Sequence, residues 1–356
     1  MLRTGAEWLA ARDPLPTSLR AVLGYYADAG VIDTSSLRLK RHVDDVTEGM
    51  IDDAFGAVER RLADAFDADV SFDYDTKLVL PAQLTFGYLH RRVDGADRER
   101  AEAVTRLVVE ALIDGDMRDA INDDEFGDFA VDADGGQADR RRAAELAQAT
   151  LQERVEAGFA EFPDGVRAAY ERAVAVSEAH QAEDDRFREL MRAAREGDPA
   201  ARERIETDYR DADFVDPPGT FAATGRDLPY LRTQYERVGV IYDGMIGMYR
   251  AAGFDVEEAF ETSIVLAIVG AQIWLDDVDD YAADMREDQL TPVTAEYLLA
   301  PDESTARRRV IRVARQYLDL AKDHAARVDS PLTGIATEYI YRSGRPETLP
   351  GGDVSG

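Results

Sequence analysis

Three aspartates, Asp276, Asp280 and Asp284, follow one another at i, i+4 and i+8. On an α-helix that spacing puts them on one face, about 6 Å apart per step. Three like charges so placed repel one another unless a cation lies among them. Hard divalent ions take carboxylate oxygen, and Mg²⁺ in particular bridges carboxylates to substrate phosphates. The acids continue a very apolar run, Ile264 to Leu275, without a break. That setting is a buried helix opening into a polar end, not an amphipathic surface helix. The competing reading is a solvated acidic face, since one residue in five is Asp or Glu. By chance alone a triad at this spacing arises about three times in such a chain.

Basic residues are scarce, so their clusters carry weight. Arg308, Arg312 and Arg315 share a helical face at i, i+4 and i+7 and are candidates to clamp a diphosphate. Their alternative role is pairing with surrounding acids. Arg38, Lys40, Arg41 and His42 form the other mixed basic patch. The four histidines, His42, His90, His180 and His324, are scattered, and no pair has metal-ligand spacing. There is no cysteine, which excludes disulfides, thiolate metal sites and cysteine nucleophiles. No Ser/His/Asp arrangement, Gly-rich phosphate loop or dinucleotide fingerprint emerges.

The chain has 356 residues, 72 acidic and 42 basic, for a net charge of −30. Lysine occurs only at Lys40, Lys77 and Lys322. Such a body repels phosphate backbones and anionic membrane surfaces, so no nucleic-acid partner is expected. The composition suits a halophile's cytoplasmic protein, because at molar salt the Debye length is about 3 Å and self-repulsion is screened. The N-terminus lacks the apolar core of a signal peptide. The longest uncharged apolar run, Thr262 to Leu275, is shorter than the roughly 20 residues a bilayer needs, so no transmembrane segment is expected.

Hydrophobic residues, 45% of the chain, are enough for a sizeable core. They recur at three- and four-residue spacing in Leu19–Tyr26, Val46–Phe66, Leu78–Leu89, Ala101–Ile113 and Ala143–Phe159. The same period holds in Val166–Ala179, Leu228–Ala252, Val256–Asp284 and Arg307–Ala325. No sustained alternation marks a strand, so the expected class is all-α. One helical domain is expected over 1–342, with acidic loops near 122–137 and 183–224 and a flexible tail over 343–356.

Gln272-Ile273-Trp274-Leu275-Asp276-Asp277-Val278-Asp279-Asp280 resembles the second aspartate-rich motif of the trans-isoprenyl (polyprenyl) diphosphate synthases. That motif reads Gln-Ile-x-Asp-Asp-x-x-Asp, so this chain carries one extra residue before the first Asp. Asp284-Met285-Arg286-Glu287-Asp288-Gln289-Leu290-Thr291-Pro292 resembles the family's Asp-Leu-x-Glu-Gly-Lys-x-Thr-x-Pro, with Asp288 and Gln289 in place of Gly-Lys. Earlier, Lys77-Leu78-Val79-Leu80-Pro81 keeps the Lys and Pro of Lys-Arg-x-Arg-Pro and loses both arginines. Asp114-Gly115-Asp116-Met117-Arg118-Asp119 stands where the family has its first Asp-Asp-x-x-Asp motif.

The resemblance implies a single helical bundle of the isoprenoid-synthase type with a central cavity. It implies Mg²⁺ held by Asp276, Asp280 and Asp284 on one wall, with Asp277 nearby and Gln272 in support. Asp114, Asp116 and Asp119 would hold it on the other, and Lys77, Arg308, Arg312 and Arg315 would bind substrate. Tyr230, Tyr235, Tyr242, Met245, Met248 and Tyr249 are candidate cavity lining or plain core. The implied reaction is ionisation of a prenyl diphosphate, then transfer or cyclisation. The missing arginines argue against standard elongation with a second diphosphate. The alternative is a catalytically degenerate homologue that binds a lipid or acts as a partner subunit, and a homo- or hetero-dimer fits either.

Overall fold

A computed structural model describes residues 34–66, 79–122, 137–221 and 228–352, with positions 21, 22 and 25. Helices dominate, and no strand occurs among the described residues. The class is all-α, as the hydrophobic period predicts. The chain divides into two compact units.

One unit comprises Thr34–Tyr170 and Met245–Asp255. Its framework is α1 (Thr34–Phe66), α2 (Leu80–His90), α3 (Ala96–Asn122) and α4 (Gln137–Phe159), which pack on one another. Val58, Leu62, Leu89, Val104, Val108 and Leu151 are fully buried in its core. Pro81 sits in the first turn of α2, where its fixed φ suits a helix start. Gly158 of α4 leaves room for Leu107, whose Cδ1 would lie 2.9 Å from an added Cβ.

The other unit comprises Met1–Asp33, Glu171–Gly244 and Val256–Gly356. Its helices begin with the part of α5 (Asp164–Gln181) from Glu171 onward, then α6 (Asp184–Arg195) and α7 (Pro199–Arg204), which a π turn, Ile205–Arg210, extends. α8 (Leu231–Gln234) leads through a second π turn, Tyr235–Gly239, into α9 (Val240–Ala251), of which residues to Gly244 belong to this unit and the rest to the first. α10 (Glu258–Ala271) runs through a third, Gln272–Asp276, into α11 (Asp277–Asp279) and then α12 (Tyr281–Glu287). α13 (Pro292–Leu299), α14 (Glu303–Arg327) and α15 (Pro331–Ser343) complete it. α10 packs most extensively on α14, burying Ile264, Val265, Leu266, Val310, Ala314 and Leu318. Tyr230 holds a left-handed conformation, φ 67°. Its hydroxyl donates to the buried Glu296 at 3.0 Å, which also pairs with Arg210 at 3.1 Å. That anchor keeps a bulky residue in a backbone region that costs about 1–2 kcal/mol.

Two segments depart from the sequence reading. The 183–224 stretch, expected as a loop, is helical over α6, α7 and the following π turn. Its charges are the solvated face of an amphipathic helix whose Phe187, Leu190, Met191 and Ala194 are buried at i, i+3, i+4 and i+7. Asp198 then caps α7 by accepting from Ala200 N at 2.9 Å, with Pro199 in the first turn. Between Arg210 and the 3-10 turn Gly219–Phe221 the chain is irregular, and Val215 there is 98% exposed. Most of 122–137 lies outside the described residues.

The tail is docked as far as Gly352, not frayed. Leu349 is buried, Arg307 Nε donates to Pro346 O at 2.9 Å, and the Tyr297 hydroxyl donates to Pro350 O at 2.7 Å. One helical stretch, Glu258–Asp279, is long and apolar enough to cross a membrane, longer than its uncharged core suggests. Of its most apolar window 67% is buried inside the fold, the setting of a core helix.

Candidate functional site

The acidic segment emerges from α10, whose Ser263, Val265, Leu266 and Val269 are fully buried. The helix then changes pitch: Asp277 N donates to Gln272 O, five residues back, which defines the π turn. Such a turn accommodates one additional residue and rotates everything after it about the helix axis. The backbone bends at Asp280, yet Asp280 N still bonds Asp276 O at 2.8 Å and Asp284 N bonds Asp280 O at 2.9 Å. The four-residue spacing of the triad therefore survives. Its members meet different surroundings: Asp276 and Asp280 are exposed and Asp284 is half-buried. The inward-facing acid is Asp277, 2% exposed.

Asp277 Oδ1 accepts from Arg237 Nη1 at 3.3 Å and from Gln272 Nε2 at 3.5 Å, while Oδ2 is buried with no hydrogen-bond partner. Burial pushes this carboxyl up, and Arg237 pulls it back. Asp284 is pushed up to about 7, first by burial and then by the charge of Asp277, which outweighs the opposing pull of Arg237. Arg237 itself comes from the π turn Tyr235–Gly239, so one π turn reaches, through one ion pair, the residue that directly follows another. A third supplies Tyr209, whose hydroxyl donates to Leu290 O at 2.8 Å and accepts from Gln234 Nε2 at 3.3 Å. Burial pushes the Tyr209 hydroxyl far above its ordinary range, so it stays protonated. Gln234 Oε1 is another buried atom without a partner.

Asp114, Asp116 and Asp119 lie in α3, in the other unit. Asp114 is buried and fully engaged: Oδ2 accepts from Arg118 at 2.6 Å and Oδ1 from Gln148 at 3.1 Å. Asp116 is exposed, and the Asp119 side chain is outside the described residues. Lys77 also lies outside them. Arg308, Arg312 and Arg315 are exposed on α14, and none pairs with a carboxylate within 4 Å among the described residues. Arg308 donates to the Ser304 and Thr305 hydroxyls at 2.6 and 2.8 Å, and Arg315 lies over the Tyr341 ring at 5.3 Å. Their alternative role, pairing with surrounding acids, is therefore not what the described residues show. The Tyr230 and Tyr249 hydroxyls bond Glu296 and Thr105 and anchor core packing. Tyr235 bonds Asp243.

Arg237 is the residue that sequence reasoning missed. Leu228–Ala252 also carries Arg232, Glu236, Asp243 and Arg250, so the sequence did not single it out. No group of three or more His, Asp or Glu side chains among the described residues is arranged to hold a metal ion. The sequence matches no family model and no curated protein.

Proposed function

We propose that the chain is a divergent isoprenyl diphosphate synthase-like enzyme whose Gln272–Asp284 segment works with Mg²⁺ on a prenyl diphosphate. The observation that carries this reading is Asp277, an inaccessible carboxylate with one oxygen bonded and the other left without a partner. A buried unpaired oxygen of this kind costs several kcal/mol, roughly 1–3 and more when charged, unless a cation or donor meets it. Asp284 points the same way, since a carboxyl held up to about 7 by burial and by the charge of Asp277 gives up its proton when a cation joins the two acids. Two details favour the resemblance. The π turn takes up the one residue by which this chain exceeds Gln-Ile-x-Asp-Asp-x-x-Asp, and so lets Gln272 reach Asp277. Asp288 takes a left-handed conformation, φ 56°, where the family pattern has glycine.

In this reading Asp276, Asp280 and Asp284, which are not arranged around a common point beforehand, would close on the ion as it binds, with Asp277 fixed behind them by Arg237 and Gln272. Mg²⁺ supplies Lewis-acid neutralisation of the charge that develops on a leaving diphosphate. Arg308, Arg312 and Arg315, with no carboxylate on them, remain candidates for the substrate's phosphates. Subsequent transfer or cyclisation needs water kept from the cation.

A second reading has its own observation. Asp114, placed where the first metal motif would be, already spends both oxygens on Arg118 and Gln148. That is how a chain looks when a side-chain cation has replaced a metal, and it favours a catalytically silent homologue binding a lipid or a partner subunit. Incubating the protein with prenyl diphosphates and Mg²⁺ and measuring diphosphate release separates the two. The first reading expects turnover that Asp280→Ala and Asp276→Ala each abolish with helicity unchanged. Undiminished turnover in both variants sinks it. Absence of turnover, together with Mg²⁺-independent thermal stabilisation by a non-hydrolysable prenyl diphosphate analogue, selects the second.

A further inference from the structure

The four histidines are scattered along the sequence, yet folding brings two of them together. His42 stands on α1 and His90 is the last residue of α2, with ring centroids 4.5 Å apart and ring planes inclined at 51°. Both helices belong to the same compact unit and pack on one another. Phe86, one turn before His90 and fully buried, backs both rings, its centroid 6.2 Å from that of His42 and 5.7 Å from that of His90.

The two rings are short of partners. His90 Nδ1 is buried and makes no hydrogen bond, which costs free energy unless a ligand meets that atom. The His42 ring is exposed and has no hydrogen-bond or ion-pair partner among the described residues. Burial, then Arg98 and His42, pull the His90 pKa below its ordinary 6.5, so this imidazole is uncharged at neutral pH.

The surrounding charges decide which ligand suits the pair. Arg98 is met by Asp94 at 3.2 Å and Lys40 by Asp44 at 2.6 Å. Arg38, Arg41, Arg91 and Arg92 flank the histidines in the chain, and Asp45 follows His42 by one turn. Such flanks disfavour Mg²⁺ or Ca²⁺, which need a shell of oxygens. A late transition metal binds instead through the lone pairs of neutral imidazoles. With one nitrogen of each ring turned to it at about 2.0–2.1 Å, a metal would hold these two rings roughly 90° apart. That is the angle between neighbouring ligands in the tetragonal shells of Ni²⁺ and Cu²⁺.

We propose that His42 and His90 form a two-imidazole site for a late first-row transition metal of the Ni²⁺ or Cu²⁺ type, bridging α1 and the end of α2. No third His, Asp or Glu is arranged with them among the described residues, so water completes the shell. The site lies outside the acidic segment and does not rest on the diphosphate reading.

Ni²⁺ is the probe, titrated calorimetrically into the full chain in molar KCl with excess Mg²⁺, which screens and occupies surface carboxylates. The expected result is saturation at a single ion per chain. In NMR spectra the paramagnetic ion should broaden first two of the four imidazole signals, assigned by their loss in His42→Gln and His90→Gln. Each variant should weaken Ni²⁺ binding at least about tenfold. Circular dichroism reports whether the variants are folded, and the exposed His42→Gln carries the test if His90→Gln is not. The proposal is overturned if Ni²⁺ does not bind, if His180 or His324 broadens first, if only one of His42 and His90 responds, or if His42→Gln binds as the parent does.

Discussion

Asp277 and Asp284 belong to one acidic segment and burial raises both carboxyls, but their neighbours differ. Asp277 has Arg237 against it, whereas Asp284 is half-buried and feels Asp277 and Asp280 more than it feels the arginine. The folded chain therefore holds a proton on Asp284 that the unfolded chain has released above its ordinary value of 3.8. For a carboxyl raised in this way, folding is favoured below that ordinary value, and the advantage declines as the pH rises through about 7. Asp284→Asn should leave the melting temperature nearly unchanged near pH 4 and raise it at pH 8, followed by circular dichroism. An equal offset at both pH values would contradict the assignment. His324 has the opposite sign. Both its nitrogens are buried without partners, and burial pulls its pKa down, so acidification below the ordinary value of 6.5 should destabilise the fold. The sequence marked the acidic segment but ranked Asp276 above Asp277. Asp277 follows Gly270, Ile273 and Trp274 on the buried stripe at i, i+3, i+4 and i+7, a period that the sequence does display.

Among the elements, α10 against α14 is the contact on which the acidic segment rests. Gly270 makes it close: an added Cβ would stand 2.8 Å from Leu318 Cδ2 and 3.2 Å from Tyr317 Cβ. Gly270→Ala should cost about 1–3 kcal/mol by overpacking, measured by thermal or denaturant unfolding. A change within a few tenths would show that the helices part easily. The docked tail is the second support. Arg345 pairs with Asp279, Gly344 packs on the Trp274 indole, and Trp274 Nε1 donates to Tyr341 O at 2.9 Å. Removing residues 344–356 should lower stability by about 2 kcal/mol through the lost burial of Leu349 alone. Unchanged unfolding of the truncated chain would mean the tail adds nothing. Periodicity made the long helices legible in the sequence. It failed for α6 and for the tail, where charge or Gly and Pro content suggested loops while buried Phe187 and Leu349 decided the outcome.

At the scale of the molecule, 72 acids against 42 bases make self-repulsion the dominant long-range term. Many acids sit beside an arginine at the surface, as Glu156 does with Arg167 and Asp53 with Arg106, and such pairs contribute little individually. Screening should therefore matter more than pairing. The melting temperature is expected to rise steeply as KCl goes from low to molar concentration; a flat or falling response would remove the salt-adapted reading. The buried pairs Arg237–Asp277 and Arg210–Glu296 should respond far less to salt.

The Trp274 indole is buried, stacks on Tyr341 with an interplanar angle of 5°, and stands two residues before Asp276. The chain has only two tryptophans, the other being Trp8. In a Trp8→Phe background all indole fluorescence would come from that one ring. Its emission wavelength and quenching would then give an optical readout of the π turn and the tail together, so that a bound ion, a ligand or a detached C-terminus registers without any attached dye.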